Sequence, residues 1–124
     1  MKELLYVFIG GGLGSLARHL LGRWINVFYN HNFPLGTFAV NILACFTLGV
    51  IIGLADHKQI LSPAERLFWA VGFCGGFSTF STFSSETLTL FQQGQNSIML
   101  LYIFLSVLLC LSATFGGLFI AERI

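Results

Sequence analysis

Residues 72–86 read Gly-Phe-Cys-Gly-Gly-Phe-Ser-Thr-Phe-Ser-Thr-Phe-Ser-Ser-Glu. Within them Phe77, Phe80 and Phe83 recur every third residue, with serine and threonine between. Residues three apart share a helix face. The repeat therefore predicts phenyl rings along one side and hydroxyls along the flanks. A phenyl ring is positive at its edge and negative on its face. Ring edges can meet a small anion while hydroxyl donors replace part of its water. Packing against lipid is the alternative, since the chain holds 14 phenylalanines. The regular interleaving with hydroxyls is harder to explain that way.

Two more stripes of polar side chains repeat at helical spacing. Thr37, Asn41 and Cys45 are four apart, as are Tyr102, Ser106, Cys110 and Thr114. A row of neutral donors suits a path that holds an ion loosely enough to release it. Hydrogen bonding between helices is the competing explanation. Asn41 is the stronger case, because an amide in an apolar span is costly unless satisfied. Arg18 and Glu86 are charges inside otherwise apolar segments, where ionisable residues are functional unless they snorkel to an interface. Arg18 would set a positive potential at the mouth of an anion path. Glu86 fits such a path poorly and is placed as its gate or anchor.

One apparent motif carries no chemistry. Gly12-Leu13-Gly14-Ser15-Leu16-Ala17 fits the outline of a dinucleotide fingerprint. That fingerprint needs an acid about 20 residues on to hold a ribose, and no Asp or Glu lies between Glu3 and Asp56. Gly10 and Gly14, Gly49 and Gly53, and Gly72 and Gly76 are each four apart. Small residues at that spacing let membrane helices approach closely. Cys45, Cys74 and Cys110 sit in apolar runs without metal-ligand spacing and read as small buried hydrophobes, neither disulfides nor a zinc site.

The elements that would position these residues follow from composition. Of 124 residues, 56% are hydrophobic and 9% charged, with a net charge of +1. Mean hydropathy is +0.84. A soluble domain carries roughly 25% charged residues. A soluble enzyme, a disordered tail and a nucleic-acid binder are excluded. The length suits one domain or half of an obligate dimer. A spanning helix needs about 20 apolar residues. Four segments qualify, near 3–28, 36–55, 64–92 and 97–121, giving an all-α transmembrane domain over residues 1–124. Lys2 and the apolar run after it imitate a signal peptide, but no small-x-small cleavage site follows, and none is expected. Ser62-Pro63-Ala64-Glu65 reads as a helix start.

With four spans, both termini and the middle loop share a side. That side holds Lys2, Lys58, Arg66 and Arg123; the other holds Arg18 and Arg23. So weak a bias fits an N-in protein, or one that inserts both ways and pairs with an inverted copy. Four thin helices leave little room for a pore in one subunit, which favours an oligomer. The third segment, at about 1.5 Å per residue, is longer than a hydrocarbon core of about 30 Å. A break is expected at Gly75-Gly76, where hydroxyls can re-satisfy freed backbone groups near the bilayer midplane.

Residues 11–18 (Gly-Gly-Leu-Gly-Ser-Leu-Ala-Arg), 36–41 (Gly-Thr-Phe-Ala-Val-Asn) and 72–86 together resemble the Fluc (CrcB) fluoride channels. The likeness covers essentially the whole chain, and the third motif is highly specific. It implies a passive fluoride channel that exports fluoride from the bacterial cytoplasm across the inner membrane and lowers its toxicity. It also implies an antiparallel, dual-topology homodimer in the lipid bilayer, with two pores along the subunit interface. A structural, untransported sodium ion (Na+) would sit at the dimer centre on backbone carbonyls matching Gly75 and Ser78. The family's pore phenylalanines match Phe80 and Phe83, its pore asparagine Asn41, and its second-helix threonine Thr37. Its hydroxyl track matches Ser81, Thr82, Tyr102 and Ser106, and its vestibule arginine Arg18. Departures are Ser78 where many members carry threonine, His19 where tyrosine is usual, and Cys110 where serine is expected on the track.

Three other functions fit the sequence less well. A small multidrug exporter would need a carboxylate deep in the first helix, which is absent. A non-transporting assembly protein leaves the expected break unexplained. An intramembrane enzyme lacks a paired nucleophile and base, because His19, His31 and His57 lie at helix ends or in loops.

Overall fold

A computed structural model describes all 124 residues, and every regular element is helical. Helix α1 is Lys2–Phe28. Helix α2 is Leu35–His57, its last turn widened from Gly53 so that the Lys58 amide reaches back to the Gly53 carbonyl. Helix α3 covers residues 63–77, α4 is Phe80–Gln92, and α5 is Asn96–Arg123. Three helices, α1, α2 and α5, are long and apolar enough to cross a membrane. Helix α4, at 13 residues, is about 20 Å long and cannot cross one alone.

Local chemistry sets the helix ends. The Ser62 hydroxyl accepts the Glu65 amide, and the Glu65 carboxylate accepts the Ser62 amide, closing a capping box ahead of Pro63. This is the expected helix start. Helix α4 ends at a left-handed Gly94 (φ 74°), and the Gln95 amide returns to the Leu90 carbonyl. Such a turn is favoured at glycine and brings α5 back beside α4.

Glycines set the packing. A Cβ on Gly10 would lie 2.4 Å from the Phe68 carbonyl oxygen, and one on Gly14 would lie 2.1 Å from that of Phe73. Helices α1 and α3 therefore run parallel with their backbones in contact. Helices α2 and α5 do the same: a Cβ on Gly49 would lie 2.0 Å from the Thr114 oxygen, and one on Gly117 would lie 2.2 Å from that of Phe46. All three predicted glycine pairs lie at such contacts. The expectation that small residues serve helix approach is met.

These parallel pairings bring the middle connection and the C-terminus to one end of the molecule. There His57 Nε2 lies 3.0 Å from Glu122 Oε1, and Arg66 pairs with Asp56 at 2.7 Å. Only 16 residues are buried, so the chain keeps little interior of its own. A small cluster of Val40, Ala44 and Phe77 forms its centre, flanked by Ala17, Leu21 and Phe73. Much of the apolar surface points outward instead. Leu100, Leu101, Phe104, Val107, Leu111 and Phe115 line the exposed side of α5, where only a bilayer or another protein could cover them.

The break in the third segment is present, but three residues later than expected. Gly75 keeps α-helical angles (φ −63°, ψ −39°), and the helix continues through Phe77. Ser78 and Thr79 are extended, with ψ of 157° and 112°. The reason is packing. A Cβ on Gly76 would sit 2.3 Å from the Gly11 carbonyl oxygen, so this glycine makes room for α1 and does not turn the chain. The turn falls where Thr79 can cap α4, its hydroxyl accepting the Thr82 amide.

The later break also splits the expected ladder of three rings. Phe77 stays in α3, 7% exposed and stacked on Phe73 at 5.5 Å. Phe80 and Phe83 pair on α4, with centroids 5.5 Å apart.

Candidate functional site

The break is held by side chains from two earlier helices. Arg18 Nε on α1 donates to the Gly76 carbonyl at 3.0 Å. Asn41 on α2 meets Thr79 twice. Its Oδ1 accepts the Thr79 amide at 2.8 Å, and its Nδ2 donates to the Thr79 carbonyl at 3.2 Å. The Asn41 amide thus pairs with the interrupted chain as another strand of backbone would. Ser78 Oγ returns to the Cys74 carbonyl at 2.9 Å. The carbonyls of Gly75 and Ser78 accept no hydrogen bond within the chain. Both flank the break, and a Cβ at Gly75 would meet nothing within 4 Å. Free carbonyl oxygens at two such points are hard donors of the kind a sodium ion takes. The donor type fits.

Helices α2 and α5 join the two predicted polar stripes into one seam. They run parallel, so four residues along one helix match four along the other. Thr37 lies against Tyr102, and Cys45 and Cys110 face one another at one cavity. One turn further on, Gly49 faces Thr114, and then Gly53 faces Leu118. Between the first two of these pairs Asn41 and Ser106 line the wall of one cavity. Its volume is about 250 Å³, and Phe80, Phe83, Cys45, Cys110, Ser78 and Thr79 also line it. Ser106 Oγ is buried and has no hydrogen-bond partner. A buried hydroxyl without a partner costs about 1–3 kcal/mol, so this one is a donor in want of a ligand.

The rings continue toward the other end. Phe83 packs on Tyr102 with centroids 5.0 Å apart, and Tyr102 meets Phe33 at 5.3 Å. Tyr102 is fully buried, and its hydroxyl donates to Glu86 Oε1 at 3.3 Å. Thr37 lies beside the same carboxylate. Glu86 therefore sits at the end of the seam, held by the Tyr102 hydroxyl. Phe80 is 80% exposed, so its ring faces outward from the cavity rim.

A second, smaller cavity of about 140 Å³ lies nearby, sharing Thr79 with the first. Arg18, His19, Asn26, Thr37, Thr79 and Thr82 are among its walls. It is the more polar of the two and carries the positive charge of Arg18.

The predicted residues therefore form two groups and leave Gly75 and Ser81 outside. Asn41, Ser78, Phe80, Phe83 and Ser106 share the larger cavity, with Tyr102 and Glu86 beyond Phe83. Arg18, Thr37 and Thr82 share the smaller one. Ser81 joins neither and opens on a third groove with Ser84 and Ser85. Phe33 was not singled out from sequence. It lies in a connection before Pro34, and a single aromatic residue in a loop gives no periodic signal.

A family model described as CrcB-like protein, Camphor Resistance (CrcB), matches residues 5–118. The chain is 43% identical to the fluoride-specific ion channel FluC of Flavobacterium psychrophilum, with both chains covered in full. It is 42% identical to that of Bacteroides fragilis, over 99% of this chain and 98% of the relative. The FluC of Pyrococcus furiosus is 44% identical over 99% and 98% of the two chains.

Proposed function

The chain belongs to the CrcB family of membrane ion channels, and from that premise we propose that it is a fluoride channel that lets the ion leave the bacterial cytoplasm passively. The observation that carries this reading is the seam cavity, where the unpartnered Ser106 hydroxyl shares a wall with the Phe80–Phe83 pair. Fluoride is small and strongly hydrated. Donors at short range replace its water, and a pathway of suitable width would disfavour larger anions. Ring edges add weak positive contacts that release the ion readily. Arg18 in the neighbouring polar cavity draws anions toward the path. Outward flux follows the inside-negative potential, and the loss of cytoplasmic fluoride relieves its toxicity.

The proposal extends to the assembly. Helices α3 and α4 together make the third of four spans, interrupted at residues 78 and 79. Two subunits pair in opposite orientations across the bacterial inner membrane, which fits the weak charge bias and the uncovered apolar face of α5. A sodium ion taken by the free Gly75 and Ser78 carbonyls would supply fixed positive charge and join two breaks at the subunit contact. Glu86, held by Tyr102, gates the end of the seam.

The test is efflux from liposomes loaded with potassium fluoride, with valinomycin present to relieve the voltage and a fluoride electrode outside. Rapid fluoride release without chloride release supports the reading. Folded, reconstituted protein that releases neither ion refutes it.

A further inference from the structure

Cys45 and Cys110 have no assigned role in the channel reading, yet they face one another across the seam, lining one cavity a turn before the Gly49–Thr114 contact. Both line the cavity that holds Asn41, Phe80, Phe83 and Ser106. Both are partly exposed and carry no disulfide. The third cysteine, Cys74, is 3% exposed and outside that cavity.

The backbone supports their pairing. One turn beyond them Gly49 and Thr114 bring α2 and α5 into direct contact, with a Cβ on Gly49 placed 2.0 Å from the Thr114 oxygen. A disulfide requires Cα atoms about 4.4–6.8 Å apart. Direct backbone contact one turn from the thiols draws the two helices together where such a bond would form. Because the helices are parallel and in register, the two sulfurs arrive at the same depth.

We propose that Cys45 and Cys110 are a redox-sensitive thiol pair, oxidised by a small neutral peroxide to a disulfide that slows ion passage through the seam. The proposal rests on the channel reading for its effect on flux, but not for the bond itself. Hydrogen peroxide is uncharged and about the size of two waters, so the cavity admits it. One sulfur attacks a peroxide oxygen; the O–O bond breaks, water leaves, and a sulfenic acid remains on the protein. The second sulfur then attacks the sulfenic sulfur. The S–S bond forms, the S–O bond breaks, and a second water leaves with the remaining thiol proton. Two sulfurs lose two hydrogens in total, and the peroxide is reduced to two waters.

The consequence is local. Two thiols that could turn toward a passing ion become one rigid bridge, one turn from Asn41 and Ser106. The bridge also ties α2 to α5, so the cavity between them can no longer widen. A thiol reductant reverses both changes by exchange.

Full-length protein in liposomes is treated with hydrogen peroxide, and peptide mapping and fluoride efflux are followed on the same sample. The expected results are a Cys45–Cys110 linked peptide, a many-fold fall in efflux, and recovery with dithiothreitol. In Cys45→Ser and in Cys110→Ser, the ratio of efflux with peroxide to efflux without it should be unity, whatever the starting rate. Absence of the linked peptide at saturating peroxide overturns the proposal, as does a linked protein with unchanged efflux. If the untreated protein conducts no fluoride, the channel reading fails by itself, and the peptide map still decides whether the thiols join.

Discussion

Two kinds of side chain surround the seam cavity, and they call for different tests. Phe80 and Phe83 offer ring edges; Phe80 is mostly exposed, and Phe83 packs only its ring against Tyr102. Replacing either ring by isoleucine keeps the bulk and removes the quadrupole. A ring-edge contact of about 1 kcal/mol corresponds to roughly fivefold in rate, so Phe80→Ile and Phe83→Ile should each slow fluoride efflux by that factor or more. Melting temperature should stay near that of the parent. Normal efflux in both variants would remove the ring-edge mechanism. Asn41 is different, since both ends of its amide bind Thr79. Asn41→Asp keeps the acceptor for the Thr79 amide but sets a carboxylate against the Thr79 carbonyl. It should abolish efflux and lower stability by about 1–3 kcal/mol, read as a drop in thermal midpoint. Unchanged efflux would take Asn41 off the path. The importance of Asn41 could be read from sequence, because an amide in an apolar span needs a partner. That its partner is the backbone of Thr79 could not, since the contact spans 38 positions.

Among the elements, α2 and α5 show how glycine position governs packing. Gly116 and Gly117 are neighbours in α5, yet a Cβ on Gly117 would lie 2.2 Å from the Phe46 oxygen, while one on Gly116 would meet nothing. Gly117→Ala should force the helices apart and destabilise the protein by about 1–3 kcal/mol. Gly116→Ala should be neutral or raise stability by up to about 1 kcal/mol, because alanine is the better helix former. Thermal unfolding in detergent compares the two directly, and equal effects would refute the backbone contact. Four-residue glycine spacing in the sequence pointed to such contacts, and they formed. The adjacent pair Gly75-Gly76 suggests a hinge instead, yet Gly76 serves the contact with α1 and the chain turns at Ser78 and Thr79. A glycine that admits a neighbouring helix and one that bends its own look alike until the neighbour is known.

For the whole molecule, the decisive property is the small number of charges and their weak bias toward one end. Lys2, Lys58, Arg66 and Arg123 lie toward one end, and Arg18 and Arg23 toward the other. Orientation in the membrane responds to such counts. If the chain inserts both ways, a single labelled cysteine at either terminus should react with an impermeant reagent from both sides of intact cells to similar extents. Adding two lysines beside Lys58 should drive labelling to one side and, with the inverted partner lost, reduce efflux. Labelling from one side in the unaltered protein would reject dual insertion. The helical character and the apolar spans were plain from composition, because burial in lipid leaves no other choice. The pairing of parallel helices and the register of α2 on α5 were not, because periodicity fixes a face but not which neighbour it meets.

The clasp at the break also bears on the order in which the protein is made. Arg18 and Asn41 leave the ribosome long before Gly76 and Thr79, the groups they bind. When residues 63–92 first emerge, α1 and α2 are already available to receive them. Without those partners a nascent third segment would satisfy its own backbone best as one continuous helix, since lipid offers no hydrogen bonds. The interruption is therefore imposed during assembly by the two helices that precede it. A chain in which the third segment was synthesised ahead of the first two would be expected to enter the bilayer straight, and to need rebuilding before it could work.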